Sequence, residues 1–144
     1  MTHSRLSESA RAMLAKANPA VISTVRSDGQ PVSAATWYLL RGDQLLVNLD
    51  EGRIRLAHIR NDPRVSLTVL DEDDWYTHVT VIGRVTDLYD DEGLADIDAL
   101  SRHYTGSPYG NRDRARVSAL IDVDRVSGWG AQKNNDQATG RPTS

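Results

Sequence analysis

The fold of this chain is constrained most by a series of short segments, starting at residue 20, in which apolar and polar residues alternate between turn signals. Alternation with period two is typical of strands that bury one face. The Asp28-Gly29 pair is typical of a tight hairpin. Six strands are predicted, over 20–26, 31–40, 44–49, 64–70, 75–88 and 115–123. Strands in hairpin order favour a small antiparallel barrel over alternating βαβ units.

Helical spacing of apolar residues appears in three further segments. Residues 6–17 form one amphipathic face, with Ser4 or Ser7 as the N-cap and Asn18-Pro19 as the stop. A short helix follows Asp50, its predicted N-cap, and another is predicted to begin at Asp90. The predicted fold class is therefore α+β, mainly β with helices.

Length and composition indicate one domain without a membrane segment. The 144 residues suit a single core, and we assign the folded domain to residues 1–130. Residues 131–144 are almost free of apolar side chains, which predicts a disordered tail. The chain has no cysteine and no apolar run of signal-peptide or membrane-span length, which together predict a cytoplasmic protein.

Charge and motifs exclude several functions. Seventeen Lys and Arg against 20 Asp and Glu give a net charge of −3, which argues against a nucleic-acid or anionic-membrane binder. The four histidines have no metal-ligand spacing, so no metal site is predicted. Neither a phosphate-binding glycine loop nor a nucleophile elbow is present. Any anion site must therefore be local.

Two arginines stand where the start of a helix disfavours positive charge. Arg53 and Arg55 fall in the first turn of the segment after Asp50. A helix N-terminus carries unpaired N–H groups and about half a positive charge, so it favours a bound anion such as a phosphate. The alternative is that both arginines are solvated and balanced by Asp50 and Glu51. The segment alone leaves the two interpretations equally open.

An ordered set of motifs resembles a known family. It comprises Pro31-Val32-Ser33-Ala34-Ala35-Thr36-Trp37-Tyr38, Leu45-Leu46-Val47-Asn48, Gly52-Arg53-Ile54-Arg55, Arg60-Asn61-Asp62-Pro63-Arg64-Val65, Gly83-Arg84-Val85, residues 100–106 and Trp129-Gly130. Together they resemble the pyridoxamine 5'-phosphate oxidase-like flavin-binding split-barrel superfamily, and within it the actinobacterial deazaflavin-dependent branch. The resemblance covers roughly residues 8 to 130.

The resemblance implies a homodimeric six-stranded split barrel that binds coenzyme F420, or alternatively FMN, between its subunits. It assigns the cofactor phosphate to Arg53, Ile54 and Arg55, and a phosphate or tail contact to Arg60. Residues matching the ring and ribityl contacts are Ser33, Thr36, Trp37 and Asn48. The family commonly has lysine where Arg55 stands and a polar or basic residue where Ala57 stands, but arginine still offers a bidentate fork to phosphate.

The activity implied is hydride transfer from reduced deazaflavin to an unsaturated small molecule. Trp75, Tyr76 and His78 are candidate walls of the substrate pocket, although a histidine at such a position is more often packed or solvent-facing than an acid catalyst. The alternatives are an FMN-dependent oxidase or flavin reductase of the same fold, and a non-catalytic flavin- or tetrapyrrole-binding protein. A fold does not fix a substrate.

Overall fold

The computed structural model describes residues 6–133 and the backbone of residues 137–138. Within these residues the chain is mainly antiparallel β structure with three α-helices. The helices are α1 (Glu8–Leu14), α2 (Ile54–Asn61) and α3 (Ala95–Thr105). The strands are β1 (Ala20–Val25), β2 (Pro31–Thr36), β3 (Leu39–Arg41), β4 (Gln44–Asp50), β5 (Arg64–Leu70), β6 (His78–Asp90), β7 (Arg116–Trp129) and β8 (Gln137–Ala138).

The strands form one sheet in the order β2-β1-β5-β6-β7-β4-β3, with β8 paired to β7. All pairs are antiparallel. Although β2 and β3 lie at opposite ends of this order, only Trp37 and Tyr38 separate them. An extended chain advances about 3.5 Å per residue, so the ends of these strands lie within roughly 11 Å. The sheet therefore curls into a barrel that is split between β2 and β3.

The predicted number of strands was wrong. Residues 31–40 were expected to form one strand, but β2 pairs with β1, whereas β3 pairs with β4. The break occurs at Trp37 and Tyr38, because the segment before them pairs with one end of the sheet and the segment after them pairs with the other end. Seven strands therefore lie along the sheet instead of six, and the short β8 pairs with β7.

The interior of the barrel is one apolar cluster to which every strand from β1 to β7 except the edge strands β2 and β3 contributes buried side chains. Helix α1 closes one end with Met13 and Leu14. Ser7 is its N-cap, since its side chain accepts the Ala10 N–H, which confirms one of the two predicted caps. Among the described residues, no helix is long and apolar enough to cross a membrane.

Two tyrosine hydroxyls anchor the segment that joins α1 to β1. Tyr38 donates to the Lys16 carbonyl at 3.1 Å, and Tyr104 donates to the Asn18 carbonyl at 2.7 Å. Burial raises the pKa of both phenols, that of Tyr104 to about 12. These bonds hold α1 and α3 against the barrel beside the split.

Helix α3 begins differently from the prediction. Its first N–H groups, of Asp96 and Ile97, donate to the carboxylate of Asp91 at 2.8 and 2.9 Å. Asp90 is instead the last residue of β6. A single 3₁₀ turn, Glu92–Leu94, separates β6 from the helix, so α3 begins only at Ala95 and the carboxylate that accepts its first N–H groups is that of Asp91 rather than Asp90.

The described structure continues past the predicted domain end at 130. Gly130–Gln132 forms a 3₁₀ turn, and the buried Gln132 side chain donates to Ser9 Oγ at 3.0 Å. The backbone of Gln137–Ala138 pairs with β7. The remaining part of the predicted tail, residues 134–136 and 139–144, lies outside the described residues.

The bulge at Gly83 gives a stability prediction. A Cβ at this position would collide with the Asp122 carbonyl oxygen, because β6 and β7 approach closely where their register shifts between Ile82 and Gly83. A glycine within a strand is typical of such a close approach. We expect Gly83→Ala to lower the free energy of unfolding by roughly 2 to 3 kcal/mol in urea denaturation. Gly110→Ala is the control, since nothing lies within 4 Å of its added Cβ; an equal loss in both variants would contradict the assignment.

The raised tyrosine pKa values predict alkaline sensitivity. The unfolded chain releases a phenol proton near pH 10, whereas folded Tyr104 keeps its proton until pH about 12. The stabilisation is thus complete below pH 10 and is lost as the pH rises towards 12. Urea denaturation of wild type should show this decline, and Tyr104→Phe should reduce its slope. Tyr76→Phe, at an exposed side chain, should keep the wild-type slope; identical slopes in all three proteins would refute the prediction.

Candidate functional site

A cleft of about 740 Å³ lies beside the split of the barrel, where β2, the end of β4, the start of α2 and helix α3 meet. Its residues come from distant parts of the chain, and they divide into an aromatic and apolar wall and a polar, cationic wall. The aromatic and apolar wall consists of Trp37, Ile97, Leu100, Tyr104 and Tyr109. The polar wall consists of Thr36, Asn48, Arg55 and Arg116, and the rim of Ala17, Pro19, Ala20, Ala35 and Glu72.

The aromatic wall is a packed cluster around Trp37. The indole stacks on Tyr104 with ring centroids 5.4 Å apart and planes inclined by 14°. Tyr109 meets Trp37 edge-on at 6.2 Å. Because Trp37 follows the end of β2, the break that buries Tyr38 also places the indole in the cleft. The wall can therefore present a rigid, flat surface to a planar ligand.

The start of α2 has no side-chain cap. Its N-cap is Arg53, which accepts no helical N–H with its side chain, and the first turn has no acidic residue. Asp50, the predicted N-cap, instead accepts the Gly52 N–H at 3.0 Å and pairs with Arg114 at 2.5 Å. That prediction was wrong because the turn at Gly52 engages the carboxylate before the helix begins. The helix start is left without a negative partner.

Arg55 brings an unsatisfied donor to the cleft. Its side chain is half-buried, and its Nε is buried with no hydrogen-bond partner among the described residues. Burial, and then the nearby charge of Arg53, lower the pKa of this guanidinium. An unpaired buried donor costs roughly 1 to 3 kcal/mol or more when it is charged. An oxyanion bound at this point would remove that cost.

Asn48 and Arg116 belong to a polar network below the cleft floor. Asn48 Nδ2 donates to Asp91 Oδ2 and to Ser118 Oγ, both at 3.1 Å. Arg116 Nε donates to Asn48 Oδ1 at 2.6 Å, and its guanidinium lies 5.0 Å from the centre of the Tyr109 ring. The network links β4, β7 and the Asp91 carboxylate at the start of α3 to the guanidinium of Arg116 in the cleft.

The structure brings four of the eight predicted cofactor residues into the cleft: Thr36, Trp37, Asn48 and Arg55. Ser33 lies on the outer face of the sheet, where its hydroxyl meets Ser23 at 2.7 Å. Arg53 and Ile54 are exposed at the α2 start, and Ile54 lines a second surface cavity with His58. Arg60 is exposed and pairs with Glu51 at 3.4 Å.

The ion pairs of Asp50 and Glu51 bear on the alternative interpretation, in which these two acids balance the charges of Arg53 and Arg55. Asp50 pairs with Arg114, and Glu51 pairs with Arg60. No ion pair of Arg53 or Arg55 is found within the described residues. The two acids that would neutralise the helix start are thus engaged by other arginines.

The predicted substrate-pocket residues lie away from this cleft. Trp75 and Tyr76 belong to a turn, and β6 begins only at His78, three residues later than predicted. The turn is held by the Asp74 carboxylate, which accepts the Tyr76 N–H at 3.2 Å. Both rings are exposed, Trp75 to 71%. His78 lies opposite Trp129 in the sheet register.

Tyr104, Tyr109 and Arg116 were not predicted as site residues. Tyr104 belongs to the motif at residues 100–106, to which no cofactor contact was assigned, and Tyr109 falls in a loop with no motif. The pairing of β4 with β7 brings Arg116 to the cleft, because it places Asp50 opposite Arg116 and Asn48 opposite Ser118. Pairing between residues nearly 70 positions apart has no local signature. Among the described residues, no group of His, Asp and Glu suited to a metal ion is present.

Solved structures share this architecture. An F420 reductase is 26% identical, with a TM-score of 0.78 over 85% of this chain and 98% of its own. A conserved hypothetical protein from Mycobacterium tuberculosis is 21% identical, with a TM-score of 0.68 over 100% of this chain and 98% of its own. A heme binding protein from Mycobacterium smegmatis is 22% identical, with a TM-score of 0.63 over 98% of this chain and 57% of its own.

A match to a protein-family model shows the family of this chain. No curated protein matches the chain. The model described as pyridoxamine 5'-phosphate oxidase matches residues 6–130 and so spans all the strands that form the barrel. This match and the F420 reductase structure confirm the resemblance to the split-barrel superfamily and its deazaflavin branch. The chain therefore belongs to the pyridoxamine 5'-phosphate oxidase family.

Proposed function

We propose that this protein is a coenzyme F420-dependent oxidoreductase that reduces an unsaturated organic molecule. The observation that carries the proposal is the buried, unpartnered Nε of Arg55, which lines a cleft at the uncapped start of α2. Membership of an oxidoreductase-containing family and the similarity to an F420 reductase support the same assignment. When bound, reduced F420 supplies a hydride from C5 of its deazaflavin ring.

The polar wall fits an anionic cofactor end. Arg55 offers a guanidinium fork whose Nε has no other acceptor, and Arg53 adds a second charge at the helix start. Unpaired N–H groups of the first turn favour the same oxyanion. Ile54 lies between the two arginines and fixes their spacing. Arg60 would reach an acidic cofactor tail by exchanging its exposed pair with Glu51, at little cost.

The aromatic wall fits the ring. Thr36 and Trp37 line the cleft beside the polar wall, and the stacked Tyr104 keeps the indole in place. A rigid apolar surface orients a planar ring and excludes water, which is the contribution a protein makes to hydride transfer. Nearby Ser33 sits on the outer face of the barrel, where a second subunit would place it at a shared boundary.

The outer face of the barrel supports the homodimer in this proposal. Its rows run across β2, β1, β5, β6 and β7 and consist largely of small or hydroxylated side chains. Two rows are Ala35, Val21, Thr68, Thr80 and Ser127, and Ser33, Ser23, Ser66, Ile82 and Arg125. Ile82 and Trp129 are exposed apolar residues on this face. An extended surface with so little charge is typical of the core of a protein interface.

The proposed dimer also explains the position of the predicted substrate residues. His78 shares its row with Leu70 and Trp129, next to the turn that carries Trp75 and Tyr76. We propose that these three residues, Trp75, Tyr76 and His78, wall the substrate pocket by reaching towards the partner's cleft.

Two other functions share this fold. An FMN-dependent oxidase or flavin reductase would use the same arginines for the single phosphate of FMN. A non-catalytic flavin- or tetrapyrrole-binding protein is suggested by the fold shared with the heme binding protein. Turnover of reduced F420 with an electron acceptor separates an enzyme from a binder.

Cofactor preference is tested by titrating the purified protein separately with oxidised F420 and with FMN at matched salt. We expect F420 to bind more tightly, because several cationic side chains at the polar wall suit a cofactor with more than one anionic group. Quenching of the cofactor fluorescence gives the two dissociation constants. A preference for FMN would assign the protein to the alternative, and binding of neither would refute the proposal.

The arginine assignment predicts a specific loss of affinity. Replacing Arg53 and Arg55 together by Ala should weaken cofactor binding by roughly 2 to 4 kcal/mol, since charge-assisted hydrogen bonds to the phosphate are removed. Thermal stability should not fall, because the buried Arg55 donor has no partner to lose. Arg64→Ala is the control, at an exposed arginine that pairs with Asp62. Unchanged affinity in the double variant would remove the phosphate from this helix start.

The dimer is tested by a charge placed on the outer face. Ile82→Arg should convert a dimer to monomers in sedimentation or light scattering, since position 82 lies opposite Arg125 and burying two like charges at an interface is unfavourable. Thr86→Arg adds the same charge on the same strand, beyond these two rows, and should leave the mass unchanged. A dimer that tolerates Ile82→Arg would place the interface elsewhere.

A further inference from the structure

Asn48 has a part in the cleft besides the ring or ribityl contact that the resemblance implies. Both donors of its amide are accounted for by Asp91 and Ser118, which forces Oδ1 to point towards Arg116. One lone pair of Oδ1 accepts the Arg116 Nε–H at 2.6 Å, so at most one is left for a ligand. Its orientation is thus fixed by the protein rather than by a ligand.

Arg116 is held from two directions. Asn48 engages Nε in the guanidinium plane, while the ring of Tyr109 lies against its face at 5.0 Å. Tyr109 is itself fixed, since its N–H donates to Asp98 Oδ1 at 3.0 Å. Within the described residues, no carboxylate pairs with Arg116. The guanidinium therefore lines the cleft as a pre-oriented cation.

Other arginines near the cleft are neutralised. Arg112 pairs with Asp98 at 2.9 Å, and Arg114 pairs with Asp50 at 2.5 Å. Both arginines that shortly precede Arg116 in the sequence are thus neutralised by carboxylates, whereas Arg116 forms no ion pair among the described residues and lines the cleft.

We propose that Arg116 binds an oxyanion of the cofactor and that Asn48 is the positioning residue that orients it. The inference rests on the proposed function, because the oxyanion is a phosphate or carboxylate of a flavin or deazaflavin cofactor. Asn48 acts without touching that group. It holds the guanidinium plane so that the Nη groups are presented to the cleft at little entropic cost.

The test is a double-mutant cycle measured with two probes. The variants are Asn48→Ala, Arg116→Ala and the combination of both, with Gln44→Ala as the control. Gln44 lies on the same strand and makes the same kind of bond across to β7, at 2.6 Å to Asp122, but does not line the cleft. The probes are two pairs, FMN against riboflavin, and F420 against its ribityl-deazaflavin core without the phosphate and anionic tail, titrated by fluorescence.

We expect Arg116→Ala to weaken binding of the anionic probe at least about tenfold and to leave the neutral probe unchanged. Asn48→Ala should cause a smaller loss, also confined to the anionic probe. In the Arg116→Ala background, Asn48→Ala should add nothing, because its effect passes through the arginine. The fold should survive, since Asp91 still accepts the Ile97 N–H and Ser118 still donates to Asp96.

A ligand-free signal separates this inference from the proposed function. In an arginine Nε–H NMR spectrum, the Arg116 resonance should exchange slowly in wild type and rapidly in Asn48→Ala; Arg116→Lys identifies the resonance by its loss. Additive losses, or equal losses for neutral and anionic probes, would overturn the positioning role, and so would an unchanged Arg116 resonance. If wild type binds neither F420 nor FMN, the proposed function fails, and the oxyanion role of Arg116 fails with it.

Discussion

The two-residue link between β2 and β3 determines most of this structure. Since these strands occupy opposite ends of the sheet order, a link of only Trp37 and Tyr38 requires the sheet to close on itself. One side chain of the link goes inward, where Tyr38 is fully buried, and the other goes into the cleft. The closure of the barrel and the aromatic wall of the site are therefore consequences of one backbone constraint.

The closure of the barrel also bears on how a chain of net charge −3 would hold the anion that we propose. Long-range attraction is absent, so binding must come from local groups that are kept from their usual partners. Asp50 is the decisive case: a carboxylate that ordinarily would cap α2 is engaged by Gly52 and Arg114. The helix start keeps its positive end, and Arg55 keeps an unpaired Nε. Both features cost stability, and the proposed oxyanion would offset that cost.

Local patterns predicted the parts of the fold that depend on local chemistry. Ser7 caps α1 as one of two expected residues, and Asp28-Gly29 lies in the tight hairpin between β1 and β2. The single strand over 31–40 was wrong because alternation does not show that pairing partners change at Trp37. The caps at Asp50 and Asp90 were wrong because turns before each helix took over the carboxylate or shifted the start. Such competition is settled by tertiary contacts.

The site residues show the same difference between what local patterns predict and what tertiary contacts decide. Thr36, Trp37 and Arg55 were identified from motifs that lie close together in sequence, and they do meet in the cleft. Tyr109 and Arg116 were not predicted as site residues. Nothing in the segment around Arg116 distinguishes an arginine that forms an ion pair from one that does not. That distinction depends on Asn48, nearly 70 residues away, and on which arginines Asp50 and Asp98 neutralise. An arginine is available for the proposed binding only where no carboxylate neutralises it. Only the folded arrangement of acids and bases determines which arginine that is.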